Sequence, residues 1–398
     1  MKHLLVFGLL GMSFSPSSAQ TSTGAEAANR HAFEMFHLFR QMTKGNFCFS
    51  PYSGHRIAAM LAEGARGETQ KQLLSLVHLP DDAEARLKQA DGLRQQLSGG
   101  KGLLLDITNS LWMPAGAPVE PAFVTIAKDR FGASVESLPG DDPVGSAMKV
   151  NEWIRSRTRG RITSMVGPSV FQVPGSLLAV NTVFLKASWA HQFELQRTRV
   201  REFTLPGESR IHLPMMMQKH AMLHAEQENW QLLEMSLSAL DAEWSMIFLL
   251  PRRESLRADI EKGLSQESLN AMMKLQESID VNLLLPRFGF STSLDLKGLW
   301  QTLGARRAFD AASVDFSGMV SGPYKLGAVL HEVTIEVNET GAEAAAATIA
   351  PADPFGESPP EVKPKRQAVS FVADHPFVWL IQHRRTGLIL FMGRFAGQ

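Results

Sequence analysis

The sequence predicts an α+β fold built around one large core. Three observations carry that expectation. Helical periodicity fills the first part of the chain, strand-like runs fill the second, and the two do not alternate as βαβ units would require. No low-complexity linker and no internal repeat divides the 398 residues, so one domain over residues 20–398 is expected once a leader has been removed.

Each element follows from local pattern. Residues 1–19 read as an export leader: Lys2 and His3 open it, residues 4–14 are an apolar run, and Ser17 and Ala19 supply the small side chains that precede cleavage before Gln20. That run is too short to cross a bilayer, and no later stretch reaches eighteen uncharged apolar residues. A secreted or periplasmic protein without a membrane span is expected. Residues 27–43 carry Phe33, Phe36, Leu38 and Phe39 in an amphipathic helical pattern. Ser50-Pro51 then starts a second helix over 53–61, because proline is tolerated in a first helical turn, and 68–76 forms a third. Residues 103–113 alternate as a strand. Residues 150–166 read as a helix with Trp153 and Ile154 on its apolar side, and 178–185 as a strand buried on both faces. Further strands are expected over 232–237, 245–251, 280–285, 329–337, 377–381 and 388–395.

Composition narrows the function. Forty basic and forty acidic residues balance, which gives no reason to expect a nucleic-acid partner. The densest basic run, Arg155, Arg157, Arg159 and Arg161, spreads around a helix and reads as a solvated face. A lone cysteine, Cys48, forbids an internal disulfide; between Phe47 and Phe49 it reads as a small core residue. No metal-type histidine spacing is present, and His212, His220 and His224 read as surface around a strand turn.

The most distinctive tract is near the C-terminus. An acidic strand over 334–339 leads through Thr340 and Gly341 into Ala342, Glu343, Ala344, Ala345, Ala346, Ala347 and Thr348, and a proline-rich stretch follows. Alanines with a glutamate make good helix, yet small side chains also fit a tight gap in a sheet. Gly341 offers the φ freedom of a hinge. Taken alone the tract reads as a surface helix or loop.

The surrounding blocks change that reading. Asn46–Ser53 (NFCFSPYS), Gly64–Thr69 (GARGET), Asn151–Trp153 (NEW) and Val180–Trp189 (VNTVFLKASW) come first. Pro214–Gln218 (PMMMQ), Ser245–Pro251 (SMIFLLP), Leu285–Arg287 (LPR), His331, the Gly341 tract, Ala373–Phe377 (ADHPF) and Phe391–Arg394 (FMGR) follow. In that order they resemble the serpin family across essentially the whole mature chain, and a disulfide-free sequence of this kind is compatible with a bacterial source.

The resemblance implies three β-sheets, eight or nine helices and an exposed reactive-centre loop over about 340–366. It also implies a suicide-substrate inhibitor rather than an enzyme. A serine protease of chymotrypsin, cathepsin G or elastase type is acylated by the loop, which then enters the central sheet as a new strand. The partner is that protease, held as a covalent acyl complex; no cofactor is implied, and the inhibitor is expected to be a monomer. The hinge would be Glu339 to Thr348. Within it Ala342, Ala344, Ala346 and Thr348 share one face, all small and uncharged, while Glu343 falls on the other, where it could stay wet. Pro351 would cost a ladder bond low in the inserted strand. Fourteen residues on from Gly341, a spacing common in the family, lies Phe355, so the reactive bond would be Phe355–Gly356. Counting back from Pro359 and Pro360 gives Gly356–Glu357 instead; Phe355 is the better side chain for a pocket. The basic cluster at Lys363, Lys365 and Arg366 lies too far downstream to be the trapping bond.

By position, Ser50, Ser53, Asn181 and His331 match the family's shutter beneath the central strands. Trp189, Arg287 and Glu339 match its breach, where a buried Arg287–Glu339 pair would anchor the start of the loop. A non-inhibitory member acting as carrier, chaperone or storage protein is the alternative; the uncharged small-residue hinge argues against it. A hydrolase is disfavoured: Ser98 and Lys101 fit a Ser-x-x-Lys pattern without its companion motifs, and no Gly-x-Ser-x-Gly elbow occurs. Asn338-Glu-Thr340 is a glycosylation sequon, expected to be unmodified because a glycan there would obstruct insertion.

Overall fold

The structure, a computed structural model, describes residues 24–97, 103–140, 142–158, 160, 162, 164–173, 175–237, 243–342 and 367–397. The expected leader, the Ser98–Lys101 motif, Arg159, Arg161 and the residues from Glu343 through Phe355 and Gly356 to Arg366 lie outside those residues. The chain opens with α1 (Gly24–Met42), β1 (Phe47–Phe49), α2 (Pro51–Gly64), α3 (Gly67–Leu76) and α4 (Ala83–Leu97). Next come β2 (Leu103–Met113), α5 (Pro121–Phe131), β3 (Ala133–Ser137), α6 (Pro143–Arg157) and β4 (Ser176–Ser188). The strand-rich part holds β5 (Arg199–Thr204), β6 (Arg210–Glu226), β7 (Trp230–Leu237), β8 (Trp244–Pro251), α7 (Arg257–Gly263) and α8 (Gln266–Met273). It continues with β9 (Glu277–Pro286), β10 (Phe288–Asp295), α9 (Lys297–Thr302) and β11 (Lys325–Val337). After β11 come β12 (Gly341–Ala342), β13 (Val369–Val372), β14 (Phe377–His383) and β15 (Leu388–Phe395).

Two hydrogen-bonded networks result. The central sheet runs β10-β11-β12-β4-β2-β3, and the second runs β1-β15-β14-β8-β7-β6-β9-β13 with β5 against β6. The long β6 explains the count. Its first part pairs with β5, its middle with β9, and only Leu223 to Glu226 reach β7, so it fuses a small outer sheet to a larger buried one. The described strands thus fall into three groups in two networks, with nine α-helices among the described residues, as the α+β expectation requires.

Helices and sheets close on each other through apolar faces. Phe33, Phe36 and Phe39 of α1 join Ile57 and Leu61 of α2 in the core beneath the central sheet. Nearly the whole surface of α2 is buried, which is why its run lacks a clean polar face. On the opposite face of the central sheet, Val150 and Ile154 of α6 pack against Trp112, Leu178, Val180 and Leu330. Cys48 is fully buried, and burial pushes its thiol up to about 12, so it behaves as core.

Two expectations need correction. The helix read over 150–166 begins at Pro143, capped by Asp142 (3.0 Å to the Val144 N–H), and ends at Arg157. The chain turns out at Gly160, whose φ of +78° lets its N–H reach the Arg155 carbonyl at 2.8 Å, and Thr158 donates to Ile154 O. His212, His220 and His224 lie along the unbroken β6 rather than around a turn, and His224 is buried against Gln231. Among the described residues no helix is long and apolar enough to cross a membrane.

Candidate functional site

A seam runs down the central sheet between β11 and β4. The two strands are parallel and pair from Lys325–Ser176 to Val333–Val183. Parallel ladders are slightly less stable per residue than antiparallel ones, so this is a favourable line for parting the sheet. Above Val333 the strands diverge, and β12 lies between them, antiparallel to both: Ala342 opposes Val337 and Ala187, and Gly341 opposes Ser188.

The turn that delivers β12 is built by Asn338. Its Oδ1 accepts from the Thr340 N–H at 3.0 Å, the Thr340 hydroxyl at 2.8 Å and the Gly341 N–H at 3.3 Å, while its Nδ2 donates to Glu336 at 3.2 Å. Asn338 is buried with its amide engaged, which makes this sequon a poor glycan acceptor. Gly341 is required by space as much as by φ, which is +155°. A Cβ there would come within 2.1 Å of the Ala187 carbonyl oxygen and 2.5 Å of Ser188 Cα.

Trp189, buried beside the turn, donates its indole N–H to the Asn338 carbonyl at 2.8 Å and its backbone N–H to the Thr340 carbonyl at 2.9 Å. The Phe193 N–H donates to the Glu339 carbonyl at 2.9 Å. The Glu339 carboxylate is 9% exposed; its short contact is the Thr198 hydroxyl at 2.7 Å, with Arg287 farther away at 3.7 Å and 46% exposed. Arg287 and Glu339 do meet, yet the pair is not buried as expected. Arg287 follows the last residue of β9 at a strand junction, where solvent reaches its guanidinium.

Lower on the seam, polar groups form a directed chain. The Ser50 N–H donates to His331 Nε2 at 3.0 Å, which fixes that nitrogen as the acceptor and leaves the proton on Nδ1. Nδ1–H then donates to Asn181 Oδ1 at 2.5 Å, and Asn181 Nδ2 donates to Asn109 Oδ1 at 2.6 Å. His331 is 1% exposed, and burial holds its pKa down at about 3, so it stays neutral.

Of the four residues matched by position to the shutter, Asn181 and His331 bond each other through side chains, and Ser50 joins through its backbone. The buried hydroxyls of Ser50 and Ser53 make no hydrogen bond among the described residues. The physical reason is direction: the His331 ring is already saturated by a backbone donor and a side-chain acceptor. Asn109 was missed. Its signal was a polar residue between Ile107 and Leu111 on the inward alternation of β2.

Comparison with known proteins follows the same lines. A family model described as serpin (serine protease inhibitor) matches residues 26–397. A serpin-like protein of Thermococcus kodakarensis is 33% identical over 368 residues, 90% of this chain and 83% of that one. Human leukocyte elastase inhibitor is 30% identical over 382 residues, 94% of this chain and 98% of that one. The solved structure of human thyroxine-binding globulin with thyroxine has a TM-score of 0.82 at 24% identity, covering 94% of this chain and 98% of that one. At that identity the likeness concerns the fold alone.

Proposed function

The chain belongs to the serpin family, whose members are generally protease inhibitors rather than enzymes, and on that premise we propose a secreted, monomeric suicide-substrate inhibitor of serine endopeptidases. The observation that carries the proposal is β12, a strand of the loop already lying between β11 and β4 with the antiparallel sense insertion needs. Extending its register stepwise puts Glu343 opposite Glu336 and Lys186, on the face where Glu336 is exposed. Ala344 to Ala347 then descend the seam, and Thr348 arrives opposite His331 and Asn181. The residues that turn inward over this stretch, Ala342, Ala344, Ala346 and Thr348, are small and uncharged, and the first charge, Glu343, falls where water remains.

The energetic drive follows. Insertion replaces one parallel ladder by two antiparallel ones, a net gain of about ten hydrogen bonds at about 0.5–1.5 kcal/mol each. That is on the order of 10 kcal/mol, as much as an ordinary domain's whole stability. The uninserted form is then metastable, held by a kinetic barrier at the seam. In this reading the Ser50–His331–Asn181–Asn109 chain is the shutter, and Trp189 with the Asn338–Gly341 turn is the breach. Glu339 to Thr348 is the hinge, and Phe355–Gly356 is the bond attacked. Phe355 suits a protease with a deep apolar pocket of chymotrypsin or cathepsin G type, and the leukocyte elastase inhibitor is an elastase-directed relative by name.

The test is direct. Mature protein is mixed with chymotrypsin and run on a denaturing gel. A stable high-mass band at the summed size is expected. Clean cleavage near Phe355 without that band would instead assign the chain to the non-inhibitory members.

A further inference from the structure

Outside the seam, the strongest feature is a groove on the small outer sheet. Its volume is about 370 Å³, and its flank carries Arg197, Arg201 and Lys219 without a carboxylate among the lining residues. Two rows cross three strands to make its floor. Met217, Leu284 and Val372 form an apolar row, and Lys219, Asn282 and Ser370 form a polar row one step along. Val372 is 36% exposed, unusual for a strand valine, and belongs to the edge strand β13.

The basic groups are little engaged. Among the described residues, Arg197 is 3.6 Å from the exposed Glu194, Arg201 reaches the Met217 sulfur at 3.9 Å without an ion-pair partner, and Lys219 has no ion-pair partner. The nearest carboxylate in the neighbouring row, Asp280, pairs with Ala221 beyond the groove. In a chain of net charge zero, three like charges around an apolar strip are a local departure that balanced composition does not explain. Like charges kept together raise the free energy of the isolated protein, and an anionic partner relieves that repulsion.

Position identifies the partner. The strand β13 begins at Val369, shortly after the loop whose cleavage the proposed function requires, so the chain that would carry the protease leads straight into a strand that floors this groove. We propose that the groove is a docking surface for the target protease, engaging acidic side chains that surround one apolar side chain on the enzyme. Arg197, Arg201 and Lys219 are then determinants of which enzyme is trapped and how fast, separate from the Phe355 pocket residue. This inference rests on the inhibitor reading.

The experiment measures the second-order trapping rate and, separately, the final yield of covalent complex. The probes are chymotrypsin and chymotrypsin whose surface lysines have been succinylated to carboxylates. They are tested against the unaltered inhibitor and against Arg197→Glu, Arg201→Glu and Lys219→Glu combined. At low salt the unaltered inhibitor should trap the succinylated enzyme about tenfold faster than the charge-reversed one does. The difference should collapse near 1 M salt, where the Debye length is about 3 Å, and yields should be equal throughout. Equal rates with normal yields would overturn the groove and leave the inhibitor reading intact. Absence of complex with either enzyme removes both. Acceleration by long-chain heparin, with no dependence on the enzyme's own charge, overturns the protease assignment in favour of a polyanionic chain. A single substitution, Lys219→Ala, with circular dichroism matching the unaltered protein, guards against misfolding of the triple variant and should give part of the rate loss.

Discussion

Lowering the pH should open the seam before it unfolds the molecule. His331 is the group responsible: it is neutral and buried between Ser50 and Asn181, and burial takes its pKa from 6.5 to about 3. The sign follows from linkage. The unfolded chain binds a proton near pH 6.5 while the folded one refuses it, so stability is complete above 6.5 and falls as pH drops toward the folded value. At about 1.36 kcal/mol per unit, the loss at pH 5 is about 2 kcal/mol, tending to about 5 kcal/mol below pH 3. Geometry decides where the loss appears. Protonation gives Nε2 a hydrogen that faces the Ser50 N–H, so donor meets donor directly beneath β11, and the ring that bonds Asn181 across the seam is displaced. Hydrogen exchange of the β4 and β11 amides is therefore the assay, run at pH 7 and pH 5 on the unaltered protein and His331→Gln. Opening of residues 178–183 and 328–333 should become roughly thirtyfold more frequent at pH 5 in the unaltered protein and change far less in the variant. His31 and His55 supply the internal control. They sit on α1 and α2 with rings 6.3 Å apart, held at about 3 and about 4 chiefly by burial. Their protonation weakens the helical layer instead. The same pH response in His331→Gln would refute the assignment of the effect to the seam.

Three further outcomes follow from the same contacts. Gly341→Ala should drive β12 out of the seam, since its Cβ would meet backbone at 2.1 Å and 2.5 Å; overpacking of this kind costs about 1–3 kcal/mol, read as a lower Tm and faster proteolysis of the loop. Glu339→Lys should yield latent or polymeric protein on size-exclusion chromatography. The half-exposed Arg287 pair is worth at most about 1 kcal/mol. Most of the damage comes instead from losing the Thr198 bond and setting a cation in a nearly buried carboxylate's place, so Glu339→Gln should remain monomeric and active. Asn109→Leu strips Asn181 Nδ2 of its acceptor, leaves a buried donor unpaired and should cost about 1–3 kcal/mol in urea unfolding; an unchanged midpoint would remove Asn109 from the shutter.

Much of the fold was legible because the signal was local. The limits of β2 and β15 match the runs read from alternation and apolarity, and α2 starts at the proline that predicted it. Elements that were missed lacked such a signal. Helix α4 carries few apolar side chains, and β5 has a single buried residue, Phe203, among charged neighbours, so neither announces a core-facing side. The seam residues divide in the same way. Asn181 and His331 stand out as polar groups on inward faces otherwise lined by Leu177, Ala179, Val183, Val329, Val333 and Ile335. The partner Ser50 supplies is its backbone N–H, which side-chain identity cannot reveal, and Thr198 meets Glu339 from the end of a short 3-10 turn, Leu195–Arg197, that the local sequence does not announce. Arg287–Glu339 shows the complementary limit: contact was readable from position, but burial depends on what lies over the guanidinium.

The seam must satisfy two opposed demands, and its composition shows how both are met. A line of aliphatic pairs from Lys325–Ser176 to Val333–Val183 would seal the sheet well, and parting it would expose only apolar surface. Here the centre of that line is instead His331 opposite Asn181, joined to Ser50 just ahead of α2 and Asn109 on β2. While closed, these bonds tie three strands to the start of the helix beneath them, so opening the sheet disturbs a connected set of bonds. Once the strands part, the same groups can bond water or an arriving strand, which lowers the cost of the open state relative to an aliphatic seam. In the proposed insertion the residue that would arrive there is Thr348, whose hydroxyl both donates and accepts and would therefore replace either lost partner. The bonds that restrain the sheet are thus of a kind an incoming strand can re-form, which is what the proposed inhibitor would require of a barrier crossed once, and only after cleavage.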